Sequence, residues 1–321
     1  MKLLITEPLG FHEESLKKLQ NCFYVDFGSF SRNELKEIIH LYDGVIIRLY
    51  HYFDKELLFF AKNLKFIASP TTGLNHIDLF VAKKLNIEIL SLKNEANFLE
   101  NIHATAEHTW ALLMAIIRKI PLAYRSVIGG NWNRDDFISN ELNGKTLGII
   151  GYGRIGKKIF KFAKCFGMNV IVNDIASTHL SQKETSGLKN LFKKSDVVIL
   201  STSYSDKYIN FINKKYFYAS KKPFIFINTS RGELVNEDDL ISCLEDGIIA
   251  GAALDVVNNE NLLLKDKNSS KIIQYAKQND NVLITPHIGG ATEESMRKTE
   301  KFITEKVLDF AIKYKQNNNQ K

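Results

Sequence analysis

The chain has 321 residues, 45% of them apolar and 25% charged, which is long enough for about two domains at roughly 150 residues each and too apolar for wholesale disorder. Its 43 basic and 36 acidic side chains leave a net charge of +7, spread along the chain rather than gathered into an arm, so no nucleic-acid partner is expected. Cys22, Cys165 and Cys243 are far apart, odd in number and outside any CxxC spacing, which argues against a disulfide framework and supplies no metal-ligand set. The opening MKLLITEPLG is too short in apolar length for a signal-peptide core, and the most apolar helical stretch, 108–117, falls short of the ~20 residues that span a bilayer. A cytoplasmic protein without a membrane partner is expected.

Taken in chain order, the apolar runs KLLIT (2–6), FYVDF (23–27), GVIIR (44–48), KFIAS (65–69) and IEIL (87–90) alternate with helical patterns such as 31–40 and 54–62, which start on a capping residue. This alternation predicts βα units around a parallel sheet. A long helical pattern over 101–118 and a polar, Gly-rich crossover over 129–146 come next, so a domain boundary falls near residue 98. A second βα series follows, with strands at LGIIG (147–151), NVIVND (169–174), DVVILS (196–201), FIFIN (224–228), AGAALDVV (250–257) and NVLITP (281–286). The chain closes on a helical pattern from Thr292 to about Tyr314 and a polar tail, KQNNNQK, expected to fray.

Gly151-Tyr-Gly153-Arg154-Ile155-Gly156 follows the strand LGII directly and opens a helical pattern. In that context the three glycines form a dinucleotide fingerprint: Gly151 permits the tight turn, Gly153 lets backbone approach a pyrophosphate, and Gly156 lets helix and strand pack closely. The helix N-terminus then faces the phosphates. Asp174 stands 18 residues beyond Gly156, at the end of the next strand, where a carboxylate accepts from ribose hydroxyls and repels a 2′-phosphate; its plain alternative is a turn cap. NAD is therefore expected as cofactor in preference to NADP.

Arg231 in NTSRG, Glu260 in DVVNNENL and His287 in TPHIGG each lie just past the carboxyl end of a predicted strand, where open α/β sheets hold their ligands. A guanidinium fork matches a carboxylate, an imidazole exchanges protons near neutral pH, and an adjacent carboxylate favours its charged form. Each residue alone has an ordinary structural alternative. Together they suit the reduction of a 2-oxo acid.

The stretches HATAEHTWALLMAIIRK (103–119), NW (131–132), ELNGKTLGIIGYGRIGKKI (141–159), INTSRGELVNEDDL (227–240), GAALDV (251–256) and TPHIGGAT (285–292) resemble the D-isomer-specific 2-hydroxyacid dehydrogenase family over nearly the whole chain. Phosphoglycerate and hydroxypyruvate dehydrogenase-like members look most similar, without their C-terminal regulatory domain. The resemblance implies two doubly wound domains with a cleft between them. One is a flavodoxin-like substrate domain, 1–98 completed by the C-terminal helix 289–321, and the other a Rossmann NAD domain, 99–288.

It further implies that Arg231 binds the substrate carboxylate and carbonyl, that His287 exchanges the proton, and that Glu260 pairs with His287. Thr229 and Asp255 fall to the cofactor, Asp255 at the nicotinamide carboxamide. Thr72, Gly73 and Leu74, in the loop Pro70 to Asp78, fall to the substrate carboxylate; the structural alternative there is a helix cap at Asn75. Arg48 follows the third strand, where some relatives place an arginine against substrate, and an exposed structural arginine is the alternative. A homodimer built on the 101–118 helix and the crossover around Trp132 is expected. The chain departs from the family pattern at Ser201–Ser205, which replaces a His or Cys and a Pro, and at Asn258–Asn261, which lacks the Pro after the glutamate. Two other readings of the same fold are an NAD(H)-sensing corepressor-like protein and a formate dehydrogenase-like enzyme; the latter needs an amide near His287.

Overall fold

The computed structural model describes residues 1–175, 180–181, 184–263, 266 and 268–318. The chain divides into two compact units, Met1–Asn101 with the segment from Thr292 onward, and Ile102–Ala291. In the first unit, strands β1 (Lys2–Ile5), β2 (Tyr24–Phe27), β3 (Gly44–Ile46), β4 (Phe66–Ser69) and β5 (Glu88–Ser91) form one parallel sheet in the order β2-β1-β3-β4-β5. Side chains alternate between its two faces. Leu4, Val45 and Ile67 enter a core with Leu35, Ile39 and Leu57, whereas Leu3, Ile5, Ile46, Phe66 and Ala68 pack against Ile303, Val307 and Ala311 of the C-terminal helix. Both faces being covered, β3 and β4 read as unbroken apolar runs. Gly44 makes room for a ring, since a Cβ there would lie 2.0 Å from Phe66 Cζ.

The C-terminal helix, Glu293–Asn318, runs past the expected end near Tyr314. Apolar periodicity stops there, but Lys and Gln are good helix formers and prolong the helix without burying anything. Residues 319–321 of the tail expected to fray lie outside the described residues.

In the second unit, β6 (Thr146–Ile150), β7 (Asn169–Asn173), β8 (Val197–Leu200), β9 (Phe224–Asn228), β10 (Ile249–Leu254) and β11 (Val282–Ile284) form a parallel sheet in the order β11-β10-β9-β8-β6-β7. One face packs on the helices Ala104–Ile117 and Arg154–Cys165 through Trp110, Leu113, Ile159 and Ala163. The other packs on Leu191, Phe217, Leu240 and Ile272.

Beyond β7 a single parallel bridge joins Val172 to Thr185, with Val172 N donating to Glu184 O at 2.7 Å and Ser186 N to Val172 O at 2.9 Å. Counting that bridge as a strand, the order opens 3-2-1-4-5-6, the doubly wound dinucleotide-binding arrangement. Its third strand is missed in the sequence because SQKETSG (181–187) is polar throughout and carries no alternation. The chain reverses its direction of winding at β6, between β7 and β8, and the fingerprint leaves the sheet at that switch point. The expected helix over 101–118 is Ala104–Ile117, and a second helix, Ile120–Ile128, starts after Lys119 in a left-handed conformation (φ 53°).

Candidate active site

The fingerprint turn leaves β6 at Gly151, whose φ is +96° and where a Cβ would lie 2.8 Å from the Thr202 backbone. A Cβ at Gly156 would lie 2.1 Å from Gly151 O, so strand and helix meet backbone to backbone. Gly153 is the opposite case, with no atom within 4 Å of a built Cβ. It is also the N-cap of Arg154–Cys165, and no side chain caps that helix. The Ile155 and Gly156 amides donate to no protein acceptor among the described residues. An uncapped helix start behind open space is a fitting cradle for a pyrophosphate.

Asp174 reaches back to the turn, its Oδ2 accepting from Tyr152 N at 2.5 Å. Arg154, expected at the cofactor, donates to Ile102 O at 3.1 Å. The Ser201 hydroxyl, where the family places another residue, donates to Gly151 O at 2.7 Å and so braces the turn. The Thr229 hydroxyl lies 2.7 Å from that of Thr109, which itself donates to Thr105 O at 2.6 Å; Thr229 is therefore the donor between them and is engaged within the protein.

The other candidates gather at one edge of the sheet. Asn228, Leu254 and Ile284 are in register at the carboxyl ends of β9, β10 and β11, and Arg231, Asp255 and His287 follow them within three residues. The loop carrying Arg231 touches the one carrying Glu260, for a Cβ at Gly232 would lie 2.1 Å from the Val257 carbonyl. Arg231 donates from Nη1 to Ser230 O at 2.7 Å. Glu260 Oε2 stands 2.7 Å from His287 Nδ1, with both side chains about a quarter exposed. Asn261 stands where the family has its proline; just before the glutamate Asn259 takes a left-handed turn (φ 55°), and Glu260 Oε1 accepts from Val257 N at 3.2 Å. His287 Nε2 has no partner among the described residues.

Asp255 is 2% exposed and is heavily engaged. Its Oδ1 accepts from Thr285 Oγ1 at 2.6 Å and Ile288 N at 2.9 Å, with His108 Nε2 at 3.1 Å, and its Oδ2 accepts from Gly289 N at 2.7 Å. One acceptor position remains on Oδ2. Sequence reasoning passed over His108 and Thr285, and noted Ser201 only as a departure from the family pattern. The first two sit inside the stretches that resemble the family, but only the fold brings helix and loop together.

In the first unit the loop after β4 is braced by Thr71, whose hydroxyl donates to Gly73 O at 2.9 Å. The amides of Thr72, Gly73 and Leu74 have no protein acceptor among the described residues. The helix cap there is Asp78, accepting from Val81 N at 2.9 Å, rather than Asn75. Arg48 requires a correction: its guanidinium, expected against substrate, donates to Leu9 O at 2.8 Å and pairs with the 1%-exposed carboxylate of Glu300. Burying that carboxylate without its cation would be costly, so the arginine belongs to the fold.

A family profile described as "D-isomer specific 2-hydroxyacid dehydrogenase, NAD binding domain" matches residues 110–289. A glyoxylate reductase of Thermococcus onnurineus is 31% identical over 96% of this chain and 92% of its own length. A D-3-phosphoglycerate dehydrogenase of Archaeoglobus fulgidus is 33% identical over 97% of this chain, which spans 57% of that relative. Among solved structures, a D-lactate dehydrogenase from Aquifex aeolicus, complexed with NAD and lactic acid, superposes with a TM-score of 0.82 at 27% identity, covering 97% of this chain and 95% of its own. Fold and fingerprint together define a two-domain α/β protein with an NAD-binding domain. The chain belongs to the D-isomer-specific 2-hydroxyacid dehydrogenase family. No helix among the described residues is long and apolar enough to cross a membrane.

Proposed function

We propose that the chain is an NAD-dependent oxidoreductase that interconverts a small D-2-hydroxy acid and its 2-oxo acid. The observation that carries this reading is the 2.7 Å contact of His287 Nδ1 with Glu260, with Nε2 left without a partner among the described residues. An ionised Glu260 accepts from Nδ1–H, so Nε2 is the atom that gives a proton to the substrate oxygen in reduction and takes it back in oxidation. Arg231 receives the carboxylate and the carbonyl oxygen. In the first unit the amides of Thr72, Gly73 and Leu74 are the donors proposed for a substrate carboxylate. When bound, the cofactor would supply the hydride chemistry: NADH would give a hydride to the substrate C2 in reduction and NAD+ would accept one from it in oxidation.

Several features support the accompanying details. Asp174 places a carboxylate where a 2′-phosphate would be repelled. A formate dehydrogenase-like reading expects an amide beside His287, where Glu260 stands. The substrate is of the hydroxypyruvate, glyoxylate or 3-phosphoglycerate kind, the relatives carrying differing names. The helix Ile120–Ile128 buries none of its residues, and Tyr124, Ile128, Trp132 and Ile138 are each more than 65% exposed, which supports a homodimer through this face. Sedimentation that finds only monomers would remove that part.

The test is NADH absorbance with a panel of 2-oxo acids. At least one should be reduced, far faster with NADH than NADPH, and Asp174→Ala should narrow the preference by ~1–3 kcal/mol. A protein that binds NADH yet reduces no 2-oxo acid would be a sensor instead.

A further inference from the structure

His108 lies outside every role assigned above, yet its ring is bonded to the loop that presents His287. We propose that His108 is a positioning residue for His287, acting through the Asp255 carboxylate; the inference rests on the role given to His287 above.

The partners of Asp255 fall into two groups. Thr285 Oγ1, Ile288 N and Gly289 N all belong to the loop after β11, so they tie that loop to Asp255 at the end of β10. His108 belongs to a different element. Its helix, Ala104–Ile117, is locked into the core by Trp110, Leu112 and Leu113, all at most 8% exposed. Among the described residues, His108 is therefore the side chain that ties this carboxylate to an element other than β10 and the loop.

The geometry also assigns the ring's proton. His108 Nε2 lies 3.1 Å from Asp255 Oδ1 and 3.0 Å from Thr285 Oγ1. The Thr285 hydroxyl donates its own proton to Asp255 at 2.6 Å, so both oxygens facing the ring are acceptors and Nε2 carries the hydrogen.

The loop needs such an anchor because His287 is strained. Its φ is +54°, a left-handed conformation that is unfavourable for a non-glycine residue and persists only where the surroundings over-determine it. His287 N donates to Asp255 O at 2.9 Å, and the next two amides go to the Asp255 carboxylate, so the strained residue is fixed from one side by a single aspartate. There is no slack behind it: a Cβ on Gly289 would lie 2.8 Å from Asp255 Oδ2 and 3.7 Å from His108 Cδ2. Without the ring's hydrogen bond the carboxylate keeps only donors from the loop it positions, so side chain and loop can shift together and Nδ1 of His287 leaves its 2.7 Å contact with Glu260.

The experiment compares His108→Leu, which loses the donor, with His108→Gln, whose amide nitrogen can replace Nε2. Two readouts are taken: the ring 15N signals of His287, which report which nitrogen bears hydrogen and require no turnover, and steady-state kinetics. In the wild type the His287 signals should show hydrogen on Nδ1. His108→Leu should mix the two nitrogen signals and lower kcat about 10- to 100-fold, as expected for a misplaced proton-transfer group. His108→Gln should restore both. Should His108→Leu not fold, Thr285→Val removes the neighbouring hydroxyl and should shift the same His287 signals. A folded His108→Leu protein with unmoved His287 signals would overturn the proposal and leave His108 as core packing. If no 2-oxo acid is turned over by any form, the functional reading fails while the nitrogen signals still decide the positioning role.

Discussion

Asp255 and Glu7 occupy equivalent places in the two units. Each stands one or two residues past the end of a parallel strand, β10 or β1, and each accepts consecutive backbone amides from the loop leaving the adjacent strand, β11 or β3. Asp255 takes Ile288 N and Gly289 N at 2.9 and 2.7 Å, then adds the Thr285 hydroxyl and the His108 ring. Glu7 takes Arg48 N at 2.9 Å and Leu49 N and Tyr50 N at 3.3 Å, with no hydroxyl or imidazole to help. Burial pushes the Glu7 carboxyl above the ordinary range, and the three amides and the Arg48 charge offset only part of that. The four-donor clamp holds a strained histidine in place; the three-amide one holds a loop whose arginine is spent on Glu300.

The largest effect should come from breaking the four-donor clamp. In Asp255→Asn one oxygen becomes a donor facing amide or hydroxyl donors, so we expect a loss of about 3 kcal/mol in stability and roughly 100-fold in kcat, measured by denaturant titration and NADH absorbance. A smaller effect probes the other loop through His51. Burial, aided by the Arg32 charge, pushes its pKa from 6.5 down to about 4, so between those values the unfolded chain binds a proton that the folded chain does not. Stability is then present at neutral pH and lost on acidification through that window, by about 2 kcal/mol at pH 5 relative to pH 7. His51→Leu should flatten this dependence in urea titrations at the two pH values; an unchanged slope would assign it to other groups.

Glu7→Gln should show the smallest effect, about 1 kcal/mol or less, because an amide oxygen still accepts from the loop and the carboxyl already resists ionisation. Its kcat should stay within about threefold of wild type. Equal losses for Asp255→Asn and Glu7→Gln would dissolve the contrast between the clamps.

Much of this arrangement is legible in the sequence wherever a residue acts through its own neighbours. The strand FIFIN (224–228) matches β9 residue for residue, and the glycine spacing at 151–156 specifies a turn whose three positions behave differently in space. Contacts that depend on tertiary closure are not legible. Nothing near Arg48 in sequence announces Glu300, 252 residues away, and nothing near Asp255 announces His108. The loop 258–261 is the instructive middle case. Its missing proline suggests a changed glutamate position, but a left-handed asparagine and the Val257 amide supply the turn by other means, which a residue-type comparison does not anticipate.

The central claim is that His287 exchanges the substrate proton. It is tested most directly by NADH oxidation with a reducible 2-oxo acid, wild type against His287→Ala, alongside NADH binding measured by fluorescence. The account predicts that kcat falls about 10²- to 10⁴-fold, the usual worth of a positioned general acid, while the NADH Kd stays within a few-fold. A His287→Ala protein that reduces the acid at a wild-type rate would contradict it.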